Sequence, residues 1–360
     1  MLDLPAWPPL WPSISAAAFD CVNSGDWGRY DSAAVTQLQS RLTQMTGSAT
    51  ARTCCSGSAA VELALRAAGV GPGDEVITAA FDYPGNVRAI ELIGGKPVLA
   101  DVASGTPCLD LTSVEAAASP LVKAVVASHL FGVPADVVEL KRICEDRGWF
   151  LIEDACQVAG MQIGAMQIEG RAAGSIGHFG TWSTGGSKLI TCGSGGVIFA
   201  SDDRSAARLN PILDRPSDAF AMPPLAAAMV LPQLDRLDEM NGRRSETAVF
   251  IRDHVLPEQT NWTWESGDRD KSAFYKVAFT VESTERRETI IAKAGQVGLP
   301  IGVGFRSLAG TSTRRCRKPV PLDRSQMLGE RLMVLDHRAL MIPPDRWDEL
   351  ASAFAKLVKK

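Results

Sequence analysis

The chain has 360 residues, of which 46% are hydrophobic and 22% are charged, a balance typical of a globular protein large enough for more than one domain. Its formal net charge of −4 at pH 7 provides no positive field for nucleic acid, and no apolar run reaches the ~20 residues of a membrane span. The first residues, MLDLPAWPPL, lack the basic start of a signal peptide, so the sequence predicts a cytoplasmic protein without nucleic-acid or membrane partners.

The eight cysteines and four histidines show no spacing typical of a metal site or a disulfide framework. No Cys-x-x-Cys pair is present, and Cys54 and Cys55 are adjacent. We therefore expect small buried thiols in a reducing compartment, and no metal.

The first half of the chain alternates apolar runs with amphipathic stretches. The apolar runs predict strands at 52–56, 75–80, 97–101, 122–128, 149–153, 178–183 and 196–201. The stretches between them predict helices at 58–68, 85–93, 111–118 and 135–147. This alternation is typical of a doubly wound, mostly parallel α/β sheet.

The pattern changes after about residue 203, where a segment rich in Pro, Ala and Met leads into charged helical repeats. A long helix is predicted over 233–255, an alternating strand over 272–282, and amphipathic helices over 285–298 and 348–360. The sequence therefore predicts a large domain over 1–235 and a small C-terminal α+β domain over 236–360.

A first candidate for chemistry is the segment Cys55–Ala60, where a predicted strand runs into a helix through small polar residues. The free N–H groups at a helix start, together with the positive end of its dipole, form a site for an anion. Ser56 and Ser58 are able to add hydroxyl donors, although a serine here also fits an ordinary helix cap.

A second candidate is the pair Glu153-Asp154, which directly follows the apolar run WFLI. A carboxylate at the end of a parallel strand faces the crevice where α/β proteins bind ligands, and there it needs a cation or a donor. An exposed turn or a helix cap is the alternative interpretation.

A third candidate is Lys188, which lies in the glycine-rich loop STGGSKLITCGSGG between two apolar runs. Small neighbours allow a flat ligand to approach, and a lysine in such a place is able to attack a carbonyl group. The spacing of a nucleotide-binding P-loop is absent. An anion-binding helix start, an acid and a lysine are the parts that pyridoxal 5′-phosphate requires.

These segments together resemble the DegT–DnrJ–StrS aminotransferases, which are fold-type I pyridoxal-phosphate enzymes. The resemblance covers nearly the whole chain and is densest in SGSAAVELALRAAGVGPGDEVITAAFDYPGN, SHLFGVPAD, FLIEDACQVAG and FGTWSTGGSKLITCGSGGVIFASDD. The opening PAWPPLWPSI and the loop SKLITCGSGG are most similar to the branch that contains scyllo-inosose aminotransferases and aminohydroxybenzoate synthases.

The resemblance implies catalytic roles for two residues. Lys188 matches the lysine that bonds to the cofactor aldehyde and moves the substrate proton. Asp154 matches the acid that faces the pyridine nitrogen, and Gln157 matches the residue near the ring hydroxyl. Both Asp154 and Gln157 are therefore expected to bind the cofactor as well.

The resemblance also implies the rest of the cofactor site. Gly57 and Ser58 match the helix start that binds the phosphate, and Ser183 matches the phosphate-binding serine. Tyr83 falls where an aromatic ring stacks on the cofactor, an arrangement worth about 1 kcal/mol. His129 also matches a family position, without an assigned role.

The implied function is an aminotransferase that moves an amino group from glutamine or glutamate to a keto-sugar or keto-cyclitol, in secondary metabolism such as antibiotic biosynthesis. The family builds its sites from two chains, which implies a homodimer. Two alternatives stay open: a pyridoxal-phosphate lyase, dehydratase or cyclase, and a non-catalytic partner protein of the same fold. The family's sugar dehydratases carry histidine at the lysine position, whereas this chain has Lys188.

The segment before the long helix departs from the family. Members usually have Gly-x-Asn-x-Arg there, and the Asn reaches the cofactor phosphate of the other subunit. Here the corresponding residues are Ala219 and Ala221. This difference leaves open how the cross-subunit contact is made, and a reaction other than transamination is consistent with it.

Overall fold

Two main β-sheets organise the chain in a computed structural model that describes residues 2–165, 168–214, 219–256, 262–266 and 273–358. The α-helices are α1 (Pro12–Asn23), α2 (Ala33–Thr46), α3 (Gly57–Ala67), α4 (Pro84–Leu92), α5 (Leu111–Ala116), α6 (Val137–Arg147), α7 (Asp203–Leu213), α8 (Pro224–Leu234), α9 (Leu237–Phe250), α10 (Thr284–Val297), α11 (Asp323–Arg331) and α12 (Trp347–Val358). The strands are β1 (Thr50–Cys54), β2 (Glu75–Ala79), β3 (Lys96–Ala100), β4 (Val122–Ser128), β5 (Phe150–Asp154), β6 (Gln162–Ala165), β7 (Ile168–Ala172), β8 (Phe179–Ser183), β9 (Gly196–Ala200), β10 (Thr263–Trp264), β11 (Lys276–Thr280), β12 (Ile301–Val303) and β13 (Leu332–Asp336).

The large sheet has seven strands in the order β1-β9-β8-β5-β4-β2-β3. The strands from β8 to β3 pair in parallel, whereas β9 runs antiparallel to both of its neighbours. Each residue of β2, β8 and β9 is buried, as expected for strands covered on both faces. The predicted α/β class with a mostly parallel sheet is confirmed, and the seven predicted strands lie within two residues of observed ones.

Helices cover the two faces of this sheet with separate apolar cores. On one face, Leu63 of α3 and Ile90 of α4 pack against Ile152 of β5. On the other face, Val114 of α5 and Leu140 of α6 belong to the core. The sheet is therefore held from both sides, which fixes the positions of its strand ends.

The C-terminal part of the described chain forms a four-stranded antiparallel sheet in the order β10-β11-β13-β12. Helices α10 and α12 pack on it, with Ile290 and Phe354 in its core. The chain start joins this unit, because the Leu2 N–H donates to the Val297 carbonyl at 2.9 Å. An α+β C-terminal unit is thus present, while the proposed division at 235/236 stays a prediction.

The long helix predicted over 233–255 is interrupted at Asp235 and Arg236, between α8 and α9. Arg236 leaves the helical region with φ −111° and ψ 6°, and its guanidinium stacks on the Trp11 ring at 4.3 Å. Asp235 pairs with Arg41 of α2 at 2.8 Å. These tertiary contacts favour a bend over one continuous helix.

The other predicted helices and strands overlap observed elements, although their ends differ by a few residues. The strand predicted over 272–282 is β11, and its first residue lies outside the described residues. The last helix is α12, and the final two residues of its predicted span also lie outside. In the part of the chain that the structure describes, no helix has the length and hydropathy needed to cross a membrane.

Candidate active site

The carboxyl ends of neighbouring strands bring the predicted site residues to one edge of the large sheet. Asp154 ends β5 and lies in register with Ser128, which ends β4. Ser183 ends β8, the neighbour of β5 on its other side. Because parallel strands all run in one direction, their ends open onto a common crevice, where α/β proteins bind ligands.

The start of helix α3 closes one side of this crevice. The Ser56 hydroxyl accepts a hydrogen bond from the Ala59 N–H at 3.1 Å, so Ser56 is the helix cap. A Cβ added to Gly57 would lie 2.6 Å from the Ser183 Cβ and 2.8 Å from its hydroxyl oxygen. The helix start and the end of β8 therefore meet closely, and the first N–H groups of α3 with the Ser183 hydroxyl could hold an anion.

Gly57→Ala is expected to weaken pyridoxal phosphate binding by about fivefold or more, since the added methyl group must separate α3 from Ser183 and overpacking of this kind costs about 1–3 kcal/mol. Titration of the full-length apoprotein with the cofactor, followed by absorbance, measures the change. Gly186→Ala is the matched control, because its Cβ would meet only the Gly193 carbonyl oxygen, at 3.8 Å. Equal cofactor affinity in the two variants would contradict the anion site.

Three donors hold the Asp154 carboxylate in place. Its Oδ2 accepts hydrogen bonds from Asn86 Nδ2 at 3.0 Å and from the Ser128 hydroxyl at 3.3 Å. Its Oδ1 accepts from the Cys156 N–H at 3.1 Å. The carboxylate is only 5% exposed, so it is a fixed acceptor at the sheet edge that a cationic ring N–H would satisfy.

A second buried carboxylate, Asp82, lies beside Asp154. The Asp82 Oδ2 accepts from the Ser128 hydroxyl at 2.9 Å and from Asn86 Nδ2 at 3.1 Å, the same two donors that Asp154 uses. Burial and the nearby Asp154 charge raise the pKa of Asp82 to about 7. Asp82, Asn86 and Ser128 did not appear among the sequence-predicted site residues.

Lys188 lies in the loop after β8, half-buried, with its Nζ 5.1 Å from the centre of the Tyr275 ring. The preceding residue is anchored to the same ring, since the Ser187 and Tyr275 hydroxyls are 3.4 Å apart. Burial and the Asp154 charge raise the pKa of the Cys156 thiol well above its usual range, and the Lys188 charge acts in the opposite direction. The lysine and Asp154 thus both act on one thiol in the crevice.

Aromatic rings line the open side of the crevice. Tyr83 is 40% exposed, and its ring lies 5.8 Å from the ring of Phe305. Phe305 in turn stacks on Phe131 with ring centres 5.6 Å apart. Gln157 holds this group, because its Oε1 accepts from the Phe131 N–H at 2.8 Å while Phe131 adopts the unusual φ of 59°. The side-chain amide of Gln157 keeps N–H groups that could face a ligand.

The Ser58 side chain lies beside Tyr83 at the start of α3. Its hydroxyl oxygen lies 3.4 Å from the Tyr83 hydroxyl oxygen, so the two side chains border the helix start together. The backbone N–H of Ser58 belongs to the first turn of α3 and is available for an anion.

His129 supports the scaffold next to the site. Its Nε2 lies 2.9 Å from Glu153 Oε1, and its Nδ1 accepts from the Ala135 N–H, so the ring N–H is donated to Glu153. Both side chains are fully buried. Although burial opposes it, the hydrogen bonds from His129, Gly174 and Gly177 hold the pKa of Glu153 below its usual value. His129 thereby ties β4 to the backbone that precedes β8.

The segment that departs from the family pattern lies against the start of α3 in the same chain. The Phe220 carbonyl accepts from the Cys55 N–H at 2.7 Å. Ala219 and Phe220 border a cavity of about 550 Å³ together with Ser58, Tyr83 and Arg88. The alanine side chains at 219 and 221 place no hydrogen-bonding group there.

The residues at this edge fit pyridoxal phosphate. The α3 start and Ser183 could hold its phosphate, Asp154 its pyridine nitrogen, and Lys188 its aldehyde carbon. Among the described residues, no group of three or more His, Cys, Asp or Glu side chains could hold a metal ion. Fold and site together define a fold-type I pyridoxal-phosphate enzyme.

The chain belongs to the DegT/DnrJ/EryC1/StrS aminotransferase family, whose model matches residues 13–345. The resemblance drawn from the motifs is therefore confirmed. As a member of this family the chain is an aminotransferase, and its cofactor is pyridoxal 5′-phosphate.

Curated relatives match over most of the chain. A 3-amino-5-hydroxybenzoate synthase of Amycolatopsis mediterranei is 28% identical over 334 residues, which cover 86% of this chain and 83% of the relative. An L-glutamine:2-deoxy-scyllo-inosose aminotransferase of Streptoalloteichus tenebrarius is 27% identical and covers 98% and 94%. A GDP-perosamine synthase of Caulobacter vibrioides is 33% identical over 198 residues, 52% of each chain.

Solved structures share the fold across the whole chain. A 3-amino-5-hydroxybenzoic acid synthase superposes with a TM-score of 0.87 at 24% identity and covers 99% of this chain and 98% of that one. A sugar aminotransferase from Streptococcus pneumoniae in its PMP form gives a TM-score of 0.86 at 20% identity, with 99% and 97% covered.

Proposed function

We propose that this aminotransferase moves the amino group of L-glutamine or L-glutamate to a keto-cyclitol or keto-sugar in the biosynthesis of a secondary metabolite. The observation that carries the proposal is the meeting of Lys188, Asp154 and the α3 start at one sheet edge. The names of two relatives support these classes, since one is an L-glutamine:2-deoxy-scyllo-inosose aminotransferase and the other a GDP-perosamine synthase.

We assign the chemical steps to two side chains. The bound cofactor supplies an electron-accepting ring that makes the substrate α-proton acidic. Lys188 would be the covalent attachment point of the cofactor, and its Nζ would carry that proton from the substrate carbon. Asp154 would accept the ring N–H and keep the nitrogen protonated, and Asn86 and the Cys156 N–H keep the carboxylate aimed at one position.

The remaining side chains orient the cofactor. The N–H groups of Gly57 and Ser58 and the Ser183 hydroxyl bind its phosphate. The Tyr83 ring would cover one face of the cofactor ring, and the Gln157 amide would face the ring hydroxyl. The close contact at Gly57 supports the phosphate assignment, because it brings the helix start and the serine together.

The proposed acceptor class also agrees with the surroundings of the site. The cavity of about 550 Å³ at the start of α3 has room for a polyhydroxylated ring. Tyr83 and Arg88 are among the residues that border it, and both side chains carry hydrogen-bond donors. A cyclitol or sugar presents hydroxyl groups to such donors.

We further propose that the chain works as a homodimer in the cytoplasm. Several aromatic side chains near the chain start are exposed, namely Phe19, Trp27 and Tyr30, and a second copy would cover them. Tyr83 is exposed as well, so an adjoining subunit has access to the site. The eight free cysteines suit a reducing compartment.

A donor and acceptor assay tests the function. The purified protein, loaded with pyridoxal phosphate, is incubated with L-glutamine or L-glutamate and with 2-deoxy-scyllo-inosose or a nucleotide-linked 4-keto-sugar. We expect the keto acid of the donor and the aminated acceptor in equal amounts by mass spectrometry. The donor alone should convert the bound cofactor to its amine form, visible as loss of its absorption band.

Two outcomes would contradict the proposal. Conversion of the acceptor without a keto acid from the donor would favour a lyase, dehydratase or cyclase on the same scaffold. A cofactor band that no amino acid changes would favour a protein that binds the cofactor without transamination.

A further inference from the structure

Asp82 and Asp154 share their hydrogen-bond donors in the interior of the protein. The Ser128 hydroxyl lies 2.9 Å from Asp82 Oδ2 and 3.3 Å from Asp154 Oδ2. Asn86 Nδ2 lies 3.1 Å and 3.0 Å from the same two oxygens. Asp82 and the shared donor Asn86 are each 1% exposed, and Asp154 is 5% exposed. Water therefore does not screen the charges of the two carboxylates from each other.

The hydrogen bonds of Asp82 and Asp154 are coupled because Ser128 has only one hydrogen to donate. The Ser128 hydroxyl has one hydrogen and can donate it to only one carboxylate at a time. When Asp82 is ionised, the shorter contact favours donation to Asp82. When Asp82 is protonated, its own hydrogen occupies the Ser128 oxygen, and the hydroxyl turns its hydrogen to Asp154.

Burial and like charge explain why Asp82 is able to change state near neutral pH. Burial and the Asp154 charge raise its pKa to about 7, while the Tyr83 N–H, Asn86 and Ser128 oppose the rise. The other titratable neighbour is the Cys108 thiol, whose pKa burial raises to about 11, so it stays neutral. Asp154 also faces the Cys156 thiol, whose pKa is raised well above its usual range by burial and by the Asp154 charge, so this thiol stays neutral.

We propose that Asp82 is a positioning residue for the cofactor: it acts through Ser128 and Asn86 on Asp154, and its loss of a proton strengthens the hold of Asp154 on the protonated ring nitrogen. This inference rests on the proposed placement of the ring nitrogen at Asp154. Asp82 touches neither cofactor nor substrate in this arrangement. Its effect passes through the two shared donors and through its charge.

The role of Asp82 predicts the direction in which cofactor affinity changes with pH. A cationic ring beside Asp154 favours the ionised form of Asp82, so binding of the cofactor releases the Asp82 proton to solvent. By linkage, cofactor affinity then rises with pH between the lowered pKa of Asp82 in the complex and its pKa in the apoprotein, and it levels off above the latter. One released proton gives at most about a tenfold change in affinity per pH unit.

Asp82→Asn tests this coupling, because asparagine resembles the protonated acid and cannot ionise. Full-length apoproteins are titrated with pyridoxal phosphate from about pH 6 to about pH 8.5, and the dissociation constant is read from absorbance and tryptophan fluorescence. We expect equal affinities at the acidic end and a wild-type advantage of at least about threefold at the basic end. Asp26→Asn is the matched control, since Asp26 is a buried carboxylate held by Ser32 outside the network.

The outcomes separate this inference from the site assignment. A ratio of dissociation constants that grows with pH for Asp82→Asn and stays constant for Asp26→Asn supports the role of Asp82. Parallel profiles for the wild type and Asp82→Asn overturn it, and Ser128→Ala, which removes the shared hydroxyl, repeats the test if Asp82→Asn does not fold. If Asp154→Asn leaves both cofactor affinity and absorbance unchanged, the ring placement is wrong and the role of Asp82 is overturned with it.

Discussion

Lys188→Met is expected to lower kcat by about 10⁴-fold, the largest effect of any single substitution in this chain, since it removes both the covalent attachment point and the proton carrier. Methionine has nearly the length of lysine and keeps the apolar stem that reaches toward Tyr275. The fold and the phosphate site should therefore survive. Steady-state kinetics with the preferred donor measure the loss, and the visible band of the lysine-bound cofactor should disappear.

Lys141→Met is the matched control for this substitution. Lys141 of α6 is another lysine with a mostly covered side chain, 17% exposed, but its Nζ pairs with Glu145 at 3.7 Å and it lies outside the crevice. Its replacement should leave both kcat and the cofactor band within about twofold of the wild type, as is usual away from a functional site. A Lys188→Met enzyme that kept a tenth of the wild-type kcat would show that another group carries the proton.

The sequence is sufficient to predict those parts of the site that depend on local order along the chain. Asp154 and Ser183 each end an apolar strand, and strand ends are recognisable as the point where an apolar run meets polar residues. Gly57 opens a helix whose cap and apolar stripe are both local. Their proximity then follows from the direction that parallel strands share.

The residues that surround Asp154 could not be predicted in this way, because their positions depend on contacts between distant segments. Asn86 belongs to α4 and reaches Asp154 across 68 positions of sequence. Ser128 closes an apolar strand, yet a serine there is equally typical of an ordinary strand end. The pKa of Asp82 is raised because Asp82 and Asp154 are buried side by side, and no local sequence pattern indicates this burial.

Dependence on contacts between distant segments also explains why some helices and strands were not predicted from the sequence. The hairpin of β6 and β7 is a small sheet of its own, with no alternation strong enough to predict it. Helix α2 has an apolar stripe, with Leu38 and Leu42 fully covered, which packs against the next strand, β1, and against α8, which is far away in sequence. The bend between α8 and α9 likewise depends on Trp11 and Arg41, both far away in sequence.

The two buried acids should respond differently to loss of charge, although they share the same donors. Asp82→Asn imitates a state that Asp82 already visits near neutral pH, and we expect it to leave most of the activity at acidic pH. Asp154→Asn instead removes the charge that keeps the ring nitrogen protonated throughout the reaction. If only the shared hydrogen bonds mattered, the two substitutions would lower activity to a similar extent. A larger loss for Asp154→Asn therefore reports the role of the negative charge at position 154.

Asp154→Asn is expected to lower kcat by about 10²–10³-fold, the range observed when a fixed electrostatic contact to the reacting system is lost. The shape of the side chain is preserved, and the Asn oxygen is still able to accept from Asn86 and Ser128. The amide group of Asn then faces the Cys156 N–H, which loses its acceptor, so we expect the free energy of unfolding to fall by about 1–3 kcal/mol. Kinetics with the donor measure the loss in kcat, and the absorption of the bound cofactor reports the protonation of its ring. A variant with wild-type kcat and an unchanged spectrum would show that the carboxylate at 154 does not face the pyridine nitrogen, since loss of a charge that keeps the ring protonated must change both quantities.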